Sequence, residues 1–270
     1  MPLFLLIVFS LFSFLSYADP CSLYYLLVSK PGWQTPESHL ALFDPSRIQK
    51  SVDLGNPLKL TLDDGREYII RFESSSKDAA FEAFAASFLR SAPHCETPLI
   101  RQISGKVLQD TIGKIEMSAR YSKIKIHKAS LATFYPDMQT GKDYLDELTK
   151  KAGGMKSPEN IPAEVLTQIA DLWAIYTVLG IPDFHAKNWL IHNRHVLGID
   201  LEGKSDDFND GKITLALEYQ QNPFDIHKAD NWRAFLKEKI SPEMRNFLTH
   251  LQPARLQELG KEQNFPLSLS

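Results

Sequence analysis

The residues best suited to chemistry lie in one stretch, Gly180–Lys204 (GIPDFHAKNWLIHNRHVLGIDLEGK). Asp183, His185 and Asn188 follow a long apolar helix that Gly180 ends, and Asp200 closes an apolar run twelve positions after Asn188. Two strand-like segments, Trp189–His192 and Val196–Leu201, flank a tight turn at Asn193-Arg194. A hairpin would therefore set Asn188 and Asp200 at the same end. There two hard oxygen donors can share Mg2+, a cation that binds oxygen and usually enters with nucleotide phosphates. Asp183, one loop turn away, would reach an incoming hydroxyl as its proton acceptor or orienting group. Each residue also has a plain structural reading, because Asp and Asn favour turns and caps and a loop histidine often only bonds backbone. All three at this spacing, behind a long helix and on a hairpin, favour the chemical reading.

The pattern D-x-H-x-x-N-x-L, followed by an Asp at the G-I-D strand end, resembles the catalytic and metal-binding loops of atypical kinases. The bacterial persistence-toxin (HipA-like) protein kinases and the phosphatidylinositol 3/4-kinases carry this arrangement, and D-F-H-A-K-N is nearest to the HipA-like form. The resemblance implies that Asp183 is the catalytic aspartate, that His185 lies beside the transferred phosphate, and that Asn188 and Asp200 bind Mg2+. It implies ATP as the donor and a protein Ser/Thr hydroxyl as the acceptor. A lipid or small-molecule acceptor, or a non-catalytic kinase-like binding module, are the alternatives.

The fold class implied is α+β, a two-lobed protein kinase-like fold. Its β-rich N-lobe with one helix would span 19–134, and its mainly helical C-lobe 135–270. Such kinases carry an ATP-contacting Lys where this chain has EYIIRF, and the residue here is Arg71. Arg is also a phosphate clamp, with a different geometry. Glu82, on the following helix, is the expected ion-pair partner, and Lys59 on the preceding strand is the alternative cation. No G-x-G-x-x-G is present. Asp44–Asn56 stands where a phosphate-covering loop is expected and contains only Gly55. Leu-Glu-Gly follows Asp200, and Glu202 is a possible further metal ligand.

The elements that must position these residues are legible in part. Leu58–Leu62 alternates, Asp63-Asp64-Gly65 supplies a turn, and Glu67–Phe72 returns as a second strand. A helix is expected over Lys77–Arg90, capped by Ser76, with Phe81, Phe84, Ala85, Phe88 and Leu89 on one face. Residues 99–128 read as strands: Leu99–Ile103, a turn near Gly113, then an alternating run through Ile115, Ile124 and Ile126. Lys142–Lys151 is an amphipathic helix, and Asn160–Leu179 a longer one with Pro162 in its first turn. The C-terminal part is mostly helical, with a helix start at Ser241-Pro242-Glu243.

Composition bounds the rest. The 270 residues include 30 Lys+Arg and 33 Asp+Glu, a net charge of −3, with 43% hydrophobic residues. These values exclude a disordered chain and a polytopic membrane protein, and give no case for a nucleic-acid partner. Every charged side chain lies after residue 18. Leu3–Leu15 is short for a bilayer span, and Ser16 and Ala18 precede Asp19-Pro20, so residues 1–18 are expected to be a secretory signal peptide. The chain is then expected to be secreted or exported, with no stable membrane span after removal. It would meet its ATP in a host cell or in a secretory lumen. Cys21 and Cys95 could form one disulfide or remain separate thiols.

Overall fold

The computed structural model describes residues 40–54, 57–73, 76–115, 126, 128–134, 138–154, 157–181, 184–192, 194–201, 223–224, 231–263 and 265. Two compact units divide the chain, Met1–Leu42 and Phe43–Ser270. Only 40–42 of the first are described, and the architecture below is that of the second. The expectations for Leu3–Leu15, Cys21, Ile124, Asp183 and Glu202 fall outside the described residues. No described helix is long and apolar enough to cross a membrane.

The architecture is α+β, with a β-sheet N-terminal region and a helical C-terminal region. Five antiparallel strands form the first sheet: β1 (Ile48–Asp53), β2 (Leu58–Leu62), β3 (Glu67–Glu73), β4 (Ile100–Ile103) and β5 (Lys128–Thr133), in the order β1-β2-β3-β5-β4. Alternation decides the faces. Leu58, Leu60, Leu62, Tyr68, Ile70, Phe72, Ala129 and Leu131 are all buried, and register places them on one side. Lys59, Ile69 and Arg71 take the other side. The β2–β3 turn forms as expected, with Gly65 at φ 81° and its N–H donating to the Leu62 carbonyl.

Helix α1 (Ser76–Ser91) begins at Ser76 itself rather than after it. Its expected apolar face is buried, with Phe81 edge-on to Phe265 at 5.5 Å between centroids and Phe84 stacked on it at 5.3 Å. This contact fixes α1 against the chain's C-terminal end.

Two expectations for this region need correction. Asp44–Asn56 is not a loop throughout: Ile48–Asp53 is an edge strand, and residues 54–57 link it to β2. Leu54 N–H donates to the Pro57 carbonyl at 3.0 Å, which closes that link. Residues after Ile103 do not continue as strand either. They form helix α2 (Gly105–Ile112), which buries Leu108 and Thr111 on one side, so the region holds two helices rather than one.

The C-terminal part is built on α3 (Gly141–Lys151) and α4 (Ala163–Val178). Val165, Ile169, Leu172, Trp173 and Tyr176 of α4 are buried. The long helix read from Asn160 is broken at its start. Pro158–Asn160 is a separate 3-10 turn, and Ile161 is extended because it precedes Pro162. Gly180 at φ 67° ends α4. Strands β6 (Gln139–Thr140), β7 (Trp189–His192) and β8 (His195–Gly198) form a second antiparallel sheet. Among the described residues three helices follow: α5 (Trp232–Lys239), α6 (Pro242–Thr249) and α7 (Pro253–Glu262). Ser241 caps α6 by accepting from Met244 N–H at 3.0 Å.

Candidate functional site

The β7–β8 hairpin fixes the site's geometry. Trp189 pairs with Gly198, so Asn188 stands opposite Ile199, and Ile199 N–H donates to the Asn188 carbonyl at 3.0 Å. Asn188 and Asp200 therefore sit at the same end of the hairpin. The second strand is shorter than expected, ending at Gly198 rather than Leu201, because Asp200 adopts φ 60° and leaves the ladder. A left-handed non-glycine residue is strained, and such residues concentrate at functional sites.

The preceding loop is pinned by alternation. Phe184, Ala186 and Asn188 are buried, and Phe184 packs on the Tyr176 ring at 4.7 Å. Lys142 N–H donates to the Ala186 carbonyl and Asn188 N–H to the His185 carbonyl. Lys187 N–H donates to His185 Nδ1 at 3.0 Å, which leaves the ring proton on Nε2. Gly141 lies so close to the Trp189 indole that a Cβ would enter the ring. This contact is why α3 can begin beside the loop.

The structure brings Arg71, Glu82 and Asp200 together. Arg71 Nη2 lies 2.9 Å from Asp200 Oδ1, and Arg71 Nη1 lies 3.6 Å from Glu82 Oε1. The Arg71 and Glu82 side chains are only 13% and 10% exposed. Ser130, directly opposite Arg71 on β5, is buried beside them. Burial pushes the Glu82 carboxyl above its usual range, and the Arg71 guanidinium opposes that push. Lys59 is not part of this group. Its Nζ pairs with Glu67 at 2.9 Å and sits over the Phe134 ring at 4.5 Å.

Three supporting residues were not read from sequence as part of the site. Tyr176 donates its hydroxyl to the Ile199 carbonyl at 2.7 Å, holding the residue before Asp200. Its sequence signal was a tyrosine on the buried face of α4, since a buried tyrosine hydroxyl needs a partner. Gly198 is the glycine of G-I-D. A Cβ there would stand 3.0 Å from the Tyr176 hydroxyl and 3.2 Å from Leu172 Cδ2. Glu96 accepts from Gly198 N–H at 2.8 Å and tethers β8 to the segment after α1.

The resemblance implies Mg2+, and the donor chemistry fits it. Asn188 and Asp200 supply a carboxamide and a carboxylate oxygen, both hard donors. Asp200 Oδ1 is buried with no hydrogen bond, beside the Arg71 charge. Among the described residues no three His, Cys, Asp or Glu side chains converge as a metal set. Mg2+ suits such a sparse set because it keeps waters and takes phosphate oxygens.

No protein-family model and no curated protein matches the chain. Among solved structures, the chain is similar to the Helicobacter pylori proinflammatory kinase CtkA at 11% identity and a TM-score of 0.39, over 81% of this chain and 91% of that one. It is similar to the kinase domain of maize SIRK1 at 16% identity and a TM-score of 0.38, over 82% of each chain. The Drosophila melanogaster PAN3 pseudokinase is similar at 10% identity and a TM-score of 0.33, over 78% of this chain and 62% of that one.

Proposed function

We propose that the chain is a kinase-like, Mg-ATP-dependent phosphotransferase of atypical type, with a protein Ser/Thr hydroxyl as its acceptor. The carrying observation is the convergence of Arg71, Glu82 and Asp200, from a strand, a helix and a hairpin end far apart in sequence. Arg71 would clamp the ATP phosphates, with Glu82 holding the guanidinium in place. Asn188 and Asp200 would hold Mg2+, which when bound neutralises charge developing on the phosphates. Asp183, assigned by motif alone, would orient the acceptor hydroxyl and take its proton. The hydroxyl oxygen then bonds the γ-phosphorus as the bond to the bridging oxygen breaks and ADP leaves. His185, with its proton on Nε2, would donate to a phosphate oxygen. Export of the chain, to a host cell or a lumen supplied with ATP, remains part of the proposal.

A second reading, a kinase-like binding module without catalysis, draws on two observations. The cation on β3 is Arg rather than Lys, and no G-x-G-x-x-G is present. One experiment separates the readings. Full-length protein is incubated with labelled ATP, Mg2+ and a mixed protein extract, beside Asp183→Ala and Asp200→Ala. Label on protein that both variants lose is the expected result, and label on lipid would redirect the acceptor. Equal labelling by the variants, or no ATP binding at millimolar concentration, overturns the enzyme reading.

A further inference from the structure

Arg71 faces two carboxylates at once, Asp200 through Nη2 and Glu82 through Nη1. A guanidinium is permanently charged and planar, so it can hold two carboxylates in fixed directions where a lysine ammonium acts as a point charge. The Asp200 carboxylate it contacts is the one assigned to Mg2+ above. A divalent cation arriving alone meets a positive charge already seated on the oxygen it must take. The Arg71 side chain is 13% exposed and that of Asp200 31%, so solvent screens that repulsion only in part. A polyphosphate changes the sign, because its oxygens attract both the guanidinium and the metal.

We propose that Arg71 is a resident counter-cation on Asp200, so that this site accepts a divalent cation only together with a phosphate-bearing ligand. The inference rests on the Mg-ATP reading of the site and specifies its order of filling. Glu82 pulls the same guanidinium the other way. Loss of the Glu82 charge should tighten the hold of Arg71 on Asp200, and loss of the Arg71 charge should release Asp200. The two substitutions must therefore act in opposite directions.

The test uses the full chain with Mn2+ alone as the probe, followed by electron paramagnetic resonance, and then with Mn2+ plus ATP. Arg71→Met should bind Mn2+ alone at least about tenfold more tightly than wild type, a ratio equivalent to ~1.4 kcal/mol. Adding Asp200→Asn to Arg71→Met should abolish that gain. The isosteric Glu82→Gln should weaken binding of Mn2+ alone, and it decides the matter if Arg71→Met does not fold. Equal Mn2+ affinity in wild type and Arg71→Met, or tighter binding in Glu82→Gln, overturns the proposal. If ATP with Mn2+ still binds in an Asp200-dependent way, the Mg-ATP reading survives that result. If neither ATP nor Mn2+ binds any variant at millimolar concentration, that reading fails and this proposal fails with it.

Discussion

The Tyr176 hydroxyl donates a 2.7 Å hydrogen bond to the carbonyl of Ile199, so α4 grips the backbone directly before Asp200. Tyr176→Phe removes this bond and leaves a carbonyl unsatisfied. The expected cost is about 1–2 kcal/mol in urea unfolding. Binding of Mn2+ plus ATP should weaken several-fold, because Asp200 loses the support that keeps it at φ 60°. A stability loss with unchanged ligand affinity would confine Tyr176 to packing.

Gly198→Ala should be destabilising by about 1–3 kcal/mol, as expected for a methyl forced into a filled space. The space is filled by the Tyr176 hydroxyl and Leu172. Combined with Tyr176→Phe the loss should be smaller than the sum, since the shortened ring relieves the contact. Chemical denaturation of the two single variants and the double variant measures this.

Asp171 is fully buried on α4, and its Oδ1 accepts from Ser241 N–H at 2.8 Å, while Oδ2 has no hydrogen bond. Burial raises its pKa above the ordinary 3.8, with the Ser241 bond opposing. The folded protein therefore holds this proton to higher pH than the unfolded chain does. The stability it contributes is complete below pH 3.8 and is lost as pH rises through the raised folded value. Asp171→Asn keeps the acceptor and does not ionise. Its advantage over wild type should be absent near pH 4 and grow as pH rises through the raised folded value, read from unfolding midpoints between pH 4 and 8.

Arg71 stands at the expected place of the phosphate-contacting cation, and Lys59 is the alternative. The pairing of Lys59 with Glu67 and Phe134 assigns it elsewhere. Lys59→Met should leave ATP affinity within about twofold of wild type, and Arg71→Met should weaken it about tenfold, the range of one charge-assisted hydrogen bond. Titration of each variant with a fluorescent ATP analogue checks the pair, and the reverse order would exchange the assignments.

Local pattern made much of the frame legible. The β2–β3 hairpin followed from strict alternation around Asp63-Asp64-Gly65, and α4 from its repeating apolar face. Spacing alone put Asn188 and Asp200 at one end of a hairpin. Helix α2 was missed because Val107, Thr111 and Ile112 have strand-forming shapes, and eight residues give too little periodicity to outweigh them. Strand β1 was missed because an edge strand needs few apolar residues, and Gln49, Lys50, Ser51 and Asp53 read as loop. The reach of Arg71 to Asp200 was not legible, because no local pattern encodes which distant carboxylate a strand side chain meets. The glycine of G-I-D had a readable cause only once Tyr176 stood beside it.

The four-residue link between β1 and β2, closed by Leu54 N–H on the Pro57 carbonyl, bears on side reactions. A roof over the triphosphate does more than grip it, because it also keeps bulk solvent from the terminal phosphorus. Without a glycine-rich turn to let the backbone close on the phosphates, water would compete with the acceptor hydroxyl for the same group. The proposed kinase should then show a futile ATP hydrolysis in the absence of acceptor, and its coupling efficiency would depend on how well the acceptor itself shuts out solvent.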